Sequence, residues 1–259
     1  MTIFSSSIFA QMPRQSSRQM KIGSRVIFPI RKKPTRAQKR KLQPQSADLM
    51  RYAQFLSQPK TGIFRLFPDL GCEDNPNVIR ADKKCLEAIP ESSFYSFREK
   101  QHTANYLSDI RLQNNYLISD GLLAQGFLVV LGDVGLENVS LETEGISFMK
   151  TYSALTESAQ VQKQFSQMRK GIKSGNFLYR KALPVSENMT YALRVVAYQG
   201  NIYQMFRGYR YDLLGGDKRI DLTVTFRIIG KTADGGITVL WKELDRRDAP
   251  KFQRVKKRL

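Results

Sequence analysis

The sequence predicts an α+β fold, a mainly antiparallel β-sheet or sandwich with one packed amphipathic helix, and three observations carry that expectation. From residue 94 onward, short apolar runs are bounded by turn residues, a pattern of strands rather than helices. Near the C-terminus, Leu222, Val224, Phe226 and Ile228 alternate with Thr223, Thr225 and Arg227, and Val239 and Trp241 alternate with Thr238, Leu240 and Lys242. Such alternation marks a sheet with one buried and one wetter face, and Ala233, Asp234, Gly235 and Gly236 between the runs supply hairpin turn chemistry. Third, Leu155, Ala159, Val161, Phe165, Met168 and Ile172 form one stripe at helical spacing, with Lys163, Arg169 and Lys170 away from it.

Four segments follow in chain order. Residues 1–11 read as the remnant of a signal peptide: Thr2 to Ala10 is a short apolar stretch ending in Ala before Gln11. The basic start of such a signal is missing, since the first positive charge is Arg14. The favoured reading is a true start farther upstream, and the alternative is a cytosolic leader. Residues 12–60 are expected to form a basic disordered arm, because like charge and sparse apolar content cannot repay the entropy of ordering. Within it, Leu49, Tyr52, Ala53 and Leu56 fall at helical spacing behind a candidate cap at Ser46. Residues 61–250 form a single sheet-rich domain, and 251–259 a basic tail.

Inside the domain, strands are expected over 94–98, 106–112 and 116–119, the last two joined as a hairpin across Gln113, Asn114 and Asn115. Residues 126–134 are apolar on both faces and read as a central strand. Residues 146–152 are a strand or a turn of helix. The stripe predicts a helix over 155–173, capped by Ser153 or Thr156 and followed by Gly175. Strands are then expected over 177–183, 189–198, 202–209, 220–229 and 237–244.

Charge is distributed unevenly. The chain carries a formal charge of +19, yet residues 1–66 hold 14 Lys or Arg against one acid, Asp48, while 67–250 hold 23 basic and 22 acidic residues. The excess therefore belongs to the ends. Its densest part, Arg31, Lys32, Lys33, Arg36, Lys39, Arg40 and Lys41, is the candidate polyanion-binding segment. No run approaches the ~20 apolar residues needed to span a bilayer.

Catalytic candidates are sparse. Two cysteines, Cys72 and Cys85, and one histidine, His102, are too few for a thiolate zinc site. The cysteines are instead candidates for a disulfide across a polar segment, in an oxidising compartment. His102, beside Lys100, Gln101 and Thr103, reads as a solvent-exposed loop residue with no partner for nucleophilic catalysis. Gly121, Gly126, Gly132 and Gly135 fit neither a Walker loop nor a dinucleotide fingerprint and read as bulges or turns. Asp109, Asp120, Asp133, Glu142 and Glu144 read as surface or turn acids rather than as a catalytic pair. Tyr203, Phe206, Arg207, Tyr209, Arg210 and Tyr211 could stack on bases, though the plainer reading is a sheet with tyrosines at the core boundary.

The block comprising YSFREKQHTANYLSDIRL from Tyr95, LLAQGFLVVLGDV from Leu122, YALRVVAY from Tyr191 and LTVTFRIIGKTADGGITVLWKEL from Leu222 resembles uncharacterised exported bacterial proteins of no assigned function. The resemblance implies a bacterial envelope or secreted setting and transfers no activity or site. The leading expectation is therefore a non-enzymatic exported protein, in the periplasm, in the envelope or secreted. It would bind a partner or an anionic polymer or membrane surface and need no cofactor. Nucleic-acid binding in the cytoplasm through the basic arm is the alternative, and a carboxylate-dependent hydrolase the third class.

Overall fold

The computed structural model describes residues 26–27, 33–72, 85, 88–206 and 208–253. The strong alternation near the C-terminus builds the longest hairpin, β14 (Ile220–Lys231) against β15 (Ile237–Asp248). Its turn is held by Asp234, whose Oδ1 accepts from the Thr232 hydroxyl at 2.5 Å and the Gly236 N–H at 3.1 Å. Those two donors hold the Asp234 carboxyl below its usual pKa, and Gly235 supplies the positive φ of 79°.

This hairpin anchors an antiparallel sheet in the order β2 (Thr61–Leu66), β15, β14, β11 (Thr190–Ala197), β7 (Ala124–Gly132). A second antiparallel sheet has the order β10 (Ala182–Pro184), β6 (Tyr116–Ile118), β5 (Ile110–Gln113), β3 (Phe94–Ser96), β4 (Gln101–His102). Asn114 and Asn115 turn β5 into β6 with φ of 49° and 61°, the left-handed pair a tight hairpin needs. One core, including Phe64, Tyr95, Phe97, Leu117, Leu193, Phe226 and Trp241, contains side chains from both sheets, which makes the pair a sandwich. The Phe64 and Tyr95 rings stack with centroids 3.5 Å apart. Gly62 is required beside them, because a Cβ there would lie 2.5 Å from the Trp241 indole nitrogen.

The opposite face of the larger sheet is covered by helices Ser147–Thr151 and Ser158–Lys170, through a second core of Phe127, Val129, Met149, Tyr152, Met168 and Tyr179. This third layer corrects one expectation. Strand β7 is apolar on both faces because it has a core on each side, yet it is an edge strand and not a central one. Its edge is shielded where Leu128 and Arg180 exchange backbone hydrogen bonds at 2.7 and 2.9 Å. Gly126 allows close approach here, since a Cβ would meet Ser119 Oγ at 1.7 Å; it is neither bulge nor turn.

Several boundaries differ from expectation for physical reasons. The long helix begins at Ser158 with Glu157 as N-cap and no side-chain cap bond, so neither Ser153 nor Thr156 caps it. It stops at Gly171, whose φ of 105° leads into the β8 (Ile172–Ser174) and β9 (Phe177–Tyr179) hairpin, and Gly175 belongs to that hairpin's turn. The expected strand over 106–112 divides into a 3-10 turn, Asn105–Leu107, followed by β5. The expected strand over 202–209 divides at Gly208 into β12 (Tyr203–Phe206) and β13 (Tyr209–Asp212), which form a small sheet with β1 (Val26–Ile27). β1 runs parallel to β13.

The arm also departs from disorder where it is described. Arg36–Leu42 is a helix capped by Thr35, whose hydroxyl accepts from the Gln38 N–H while the Gln38 side chain accepts from the Thr35 N–H. Leu42 is buried, and helices Ser46–Arg51 and Ala53–Leu56 continue the chain to β2. Ser46 is the first helical residue and not the cap, which is Gln45. At the other end, Lys251 and Gln253 form bridges to Gln199 and Glu157, so the basic tail begins as packed chain.

Candidate functional site

Part of the basic segment forms an exposed cationic helix, Arg36–Leu42. Lys33, Arg36, Lys39, Arg40 and Lys41 are all exposed, whereas Arg31 and Lys32 lie outside the described residues. Lys39, Arg40 and Lys41 occupy the last turn, where positive charge complements the helix dipole. The helix is fixed to the body by Leu42, by Arg65 donating to the Lys41 carbonyl at 3.1 Å, and by Gln38 donating to the Ala88 carbonyl at 3.5 Å. Cys72 and Cys85 are joined as a disulfide with Cα atoms 5.5 Å apart.

A second charged constellation lies at the end of the sandwich. Arg98 follows β3 and is fully buried; its Nε donates to Asp109 Oδ1 at 2.6 Å, and its Nη1 donates to Asp217 Oδ2 and the Lys218 carbonyl, both at 2.6 Å. Its Nη2 donates to the Leu107 carbonyl at 2.8 Å. Asp217 Oδ2 also accepts from Arg219 Nη1 at 2.6 Å, and Arg219 donates onward to the Tyr198, Leu122 and Leu123 carbonyls. Burial works against the Arg98 charge, but Asp109 and Asp217 outweigh it and raise its pKa. Arg219 has its pKa lowered, with burial stronger than its pairing to Asp217.

Of this array, Arg98 lines a cleft of about 340 Å³, together with Lys60, Glu99, Lys100, Lys218, Glu243 and Arg246. Glu243 accepts from Arg246 at 3.0 and 2.7 Å and lies 3.3 Å from the Lys60 ammonium. Burial would raise the Glu243 pKa, but Arg246 and Lys60 overcome it and hold the carboxyl low. Lys218 pairs with Glu99 at 3.5 Å. The Lys100 ammonium sits 5.9 Å from the Trp241 ring centroid, with no carboxylate at ion-pairing distance among the described residues.

Arg98, Asp217 and Glu243 were not singled out from the sequence. The available signal was a charged residue adjoining each apolar run, Arg98 after Phe97 and Asp109 before Ile110. No spacing links residue 98 to residue 217. Asp109 is thereby corrected from surface acid to buried ion-pair partner. The other acids remain apart: Asp120 pairs with Lys181 at 2.7 Å and Arg111 at 3.5 Å, Asp133 with Arg227 at 2.6 Å and Glu142 with Lys150 at 2.5 Å, while Glu144 is exposed. No two of the five share a cationic partner.

His102 is also corrected. It lies on β4, packed edge-on against Tyr95 and Phe64 with Nδ1 3.1 Å from the Phe94 carbonyl. Burial lowers its pKa despite hydrogen bonding to the Phe94 and Glu91 backbone. In the β12–β13 hairpin, Tyr203, Met205 and Tyr209 are exposed, and Arg210 lies over the Tyr203 ring at 4.6 Å. That contact is within the protein and makes an arginine shield for a boundary tyrosine.

Among the described residues, no group of three His, Cys, Asp or Glu side chains is placed to hold a metal ion, and no helix is long and apolar enough to cross a membrane. No protein-family model, curated protein or solved structure matches the chain.

Proposed function

We propose that this chain is a non-enzymatic, exported protein that binds an anionic envelope component through the helix Arg36–Leu42. The observation that carries this reading is the mounting of that helix. Its apolar end is buried at Leu42 while Arg36, Lys39 and Arg40 are exposed with no carboxylate partner among the described residues. Cations held on a fixed helix lose less freedom on binding than the same cations on a disordered arm. The Cys72–Cys85 disulfide supports an oxidising setting and therefore export.

The test is cosedimentation with phosphatidylglycerol vesicles across a salt series, beside duplex DNA under the same conditions. The expected result is salt-sensitive vesicle binding, weakened about fivefold for each of Arg36→Gln, Lys39→Gln and Arg40→Gln. Vesicle binding unchanged in the triple variant would overturn the reading. DNA binding without vesicle binding would replace it with the nucleic-acid alternative. Thiol alkylation in native cell fractions tests export separately, and reduced cysteines in a cytosolic protein would sink that half of the proposal.

A further inference from the structure

We propose that the cleft bounded by Lys60, Lys100, Lys218 and Arg246 is a binding site for a small ligand bearing a phosphoryl group. The site is independent of the cationic helix and is built by four segments distant in sequence, one of them β15, which carries Glu243 and Arg246. Lys60 precedes β2, Lys100 lies in the turn between β3 and β4, and Lys218 precedes β14. Each lysine is on constrained backbone. The Lys218 carbonyl accepts from buried Arg98 at 2.6 Å while its N–H donates to Glu99 Oε1 at 2.7 Å. The Lys60 carbonyl accepts from the Glu243 N–H at 2.8 Å. Lys60 and Lys100 both take left-handed conformations, with φ of 63° and 55°, which residues with a Cβ seldom occupy.

Charge identifies the ligand class. Buried Arg98 lines the cleft, and the ion-paired group it belongs to is balanced, Arg98 and Arg219 against Asp109 and Asp217. Around it, four cations face two carboxylates, Glu99 and Glu243, so the cleft retains an excess of positive charge that favours a multivalent anion. The Arg246 fork is already engaged by Glu243. A planar carboxylate would seek such a fork; Lys60 and Lys218 each share their ammonium with one carboxylate, at 3.3 and 3.5 Å, and Lys100 with none among the described residues, so the remaining donors are compact lysine charges that suit the several oxygens of a phosphoryl group. A volume of about 340 Å³ accommodates that group with a small organic body attached.

The experiment is a calorimetric titration of the full chain with inorganic pyrophosphate in phosphate-free, low-salt buffer, with citrate as the carboxylate comparison. The variants are Lys100→Ala, Lys218→Ala and the triple helix variant Arg36→Gln/Lys39→Gln/Arg40→Gln, with folding checked by circular dichroism. We expect one pyrophosphate per chain, affinity reduced about tenfold in each lysine variant and unchanged in the helix variant. The site is overturned by absence of saturable binding at about 10 mM pyrophosphate, by equal affinity in the lysine variants, or by loss only in the helix variant. Citrate binding as tightly as pyrophosphate overturns the choice of ligand class. Vesicle binding tests the helix and pyrophosphate the cleft, so failure of one reading is distinguishable from failure of the other.

Discussion

Arg98 and Arg194 are both buried guanidinium groups paired with carboxylates, and they differ in what they hold. Arg194 on β11 makes a closed pair with Asp221, at 2.9 and 2.6 Å, and donates to the Met149 and Tyr152 carbonyls. Those carbonyls belong to helix Ser147–Thr151 and its C-cap, so Arg194 fastens the helical layer to the sheet. Arg98 instead divides its donors between Asp109 on the smaller sheet's side and Asp217 with Lys218 in the loop before β14. Arg98 also lines the charged cleft. The same side chain serves as a fastening between layers in one place and as the support of an accessible charged surface in the other.

Removing either arginine is expected to have the largest effect on stability. Arg98→Met leaves Asp109 buried without its guanidinium and deprives Asp217 of one of two, and Arg194→Met leaves Asp221 likewise. Each is expected to cost about 3–5 kcal/mol in urea unfolding, and a loss below about 1 kcal/mol would show that water reaches the orphaned carboxylate. Opening the Cys72–Cys85 disulfide by the double serine variant is expected to cost about 3 kcal/mol through the unfolded chain. It should leave pyrophosphate affinity unchanged.

Paired replacement sharpens the contrast. Arg194→Met with Asp221→Leu should recover most of the ion-pair loss, because both charges are exchanged for apolar packing and only the Met149 and Tyr152 carbonyls still lack their donor. Arg98→Met with Asp109→Leu should recover less, since a buried carboxylate, Asp217, remains with only one of its two guanidinium partners. Urea midpoints of the four variants decide this.

His102 gives a smaller, pH-dependent effect at the edge of the same sheet. Its folded pKa is depressed by burial, so the unfolded chain takes up the proton first, near pH 6.5. The stability present above that pH is lost as pH falls below it, at a slope of at most about 1.4 kcal/mol per pH unit. His102→Asn should flatten the slope below about pH 6.5, measured by urea midpoint against pH. The smallest stability effect belongs to the rim: Lys100→Ala and Lys218→Ala should each change unfolding by less than about 0.5 kcal/mol. A larger loss would place those lysines in the scaffold.

Legibility in the sequence followed the range of the forces involved. The β14–β15 hairpin, the Asn114–Asn115 turn and the amphipathic helix were readable because alternation, turn chemistry and a stripe act over a few residues. The capping box of Thr35 and Gln38 was equally local, but the surrounding cations read as a disordered run and obscured it. The edge position of β7 was not readable, since two-sided burial by a sheet and a helical layer leaves the same apolar pattern as a central strand. The charged cleft was not readable either, because Lys60, Arg98 and Lys218 meet only through the packing of two sheets.

The sequence by itself determined a sheet-rich α+β domain, a charge excess confined to its ends and the two cysteines suited to a disulfide, because composition and short-range periodicity are properties of the chain. Packing of the layers fixed which faces of β7 are covered, that Asp109 is an interior ion-pair partner, and that lysines from three separate segments line one cleft with Arg98. Burial and long-range charge pairing depend on which surfaces exclude water together, and that is a property of the assembled layers.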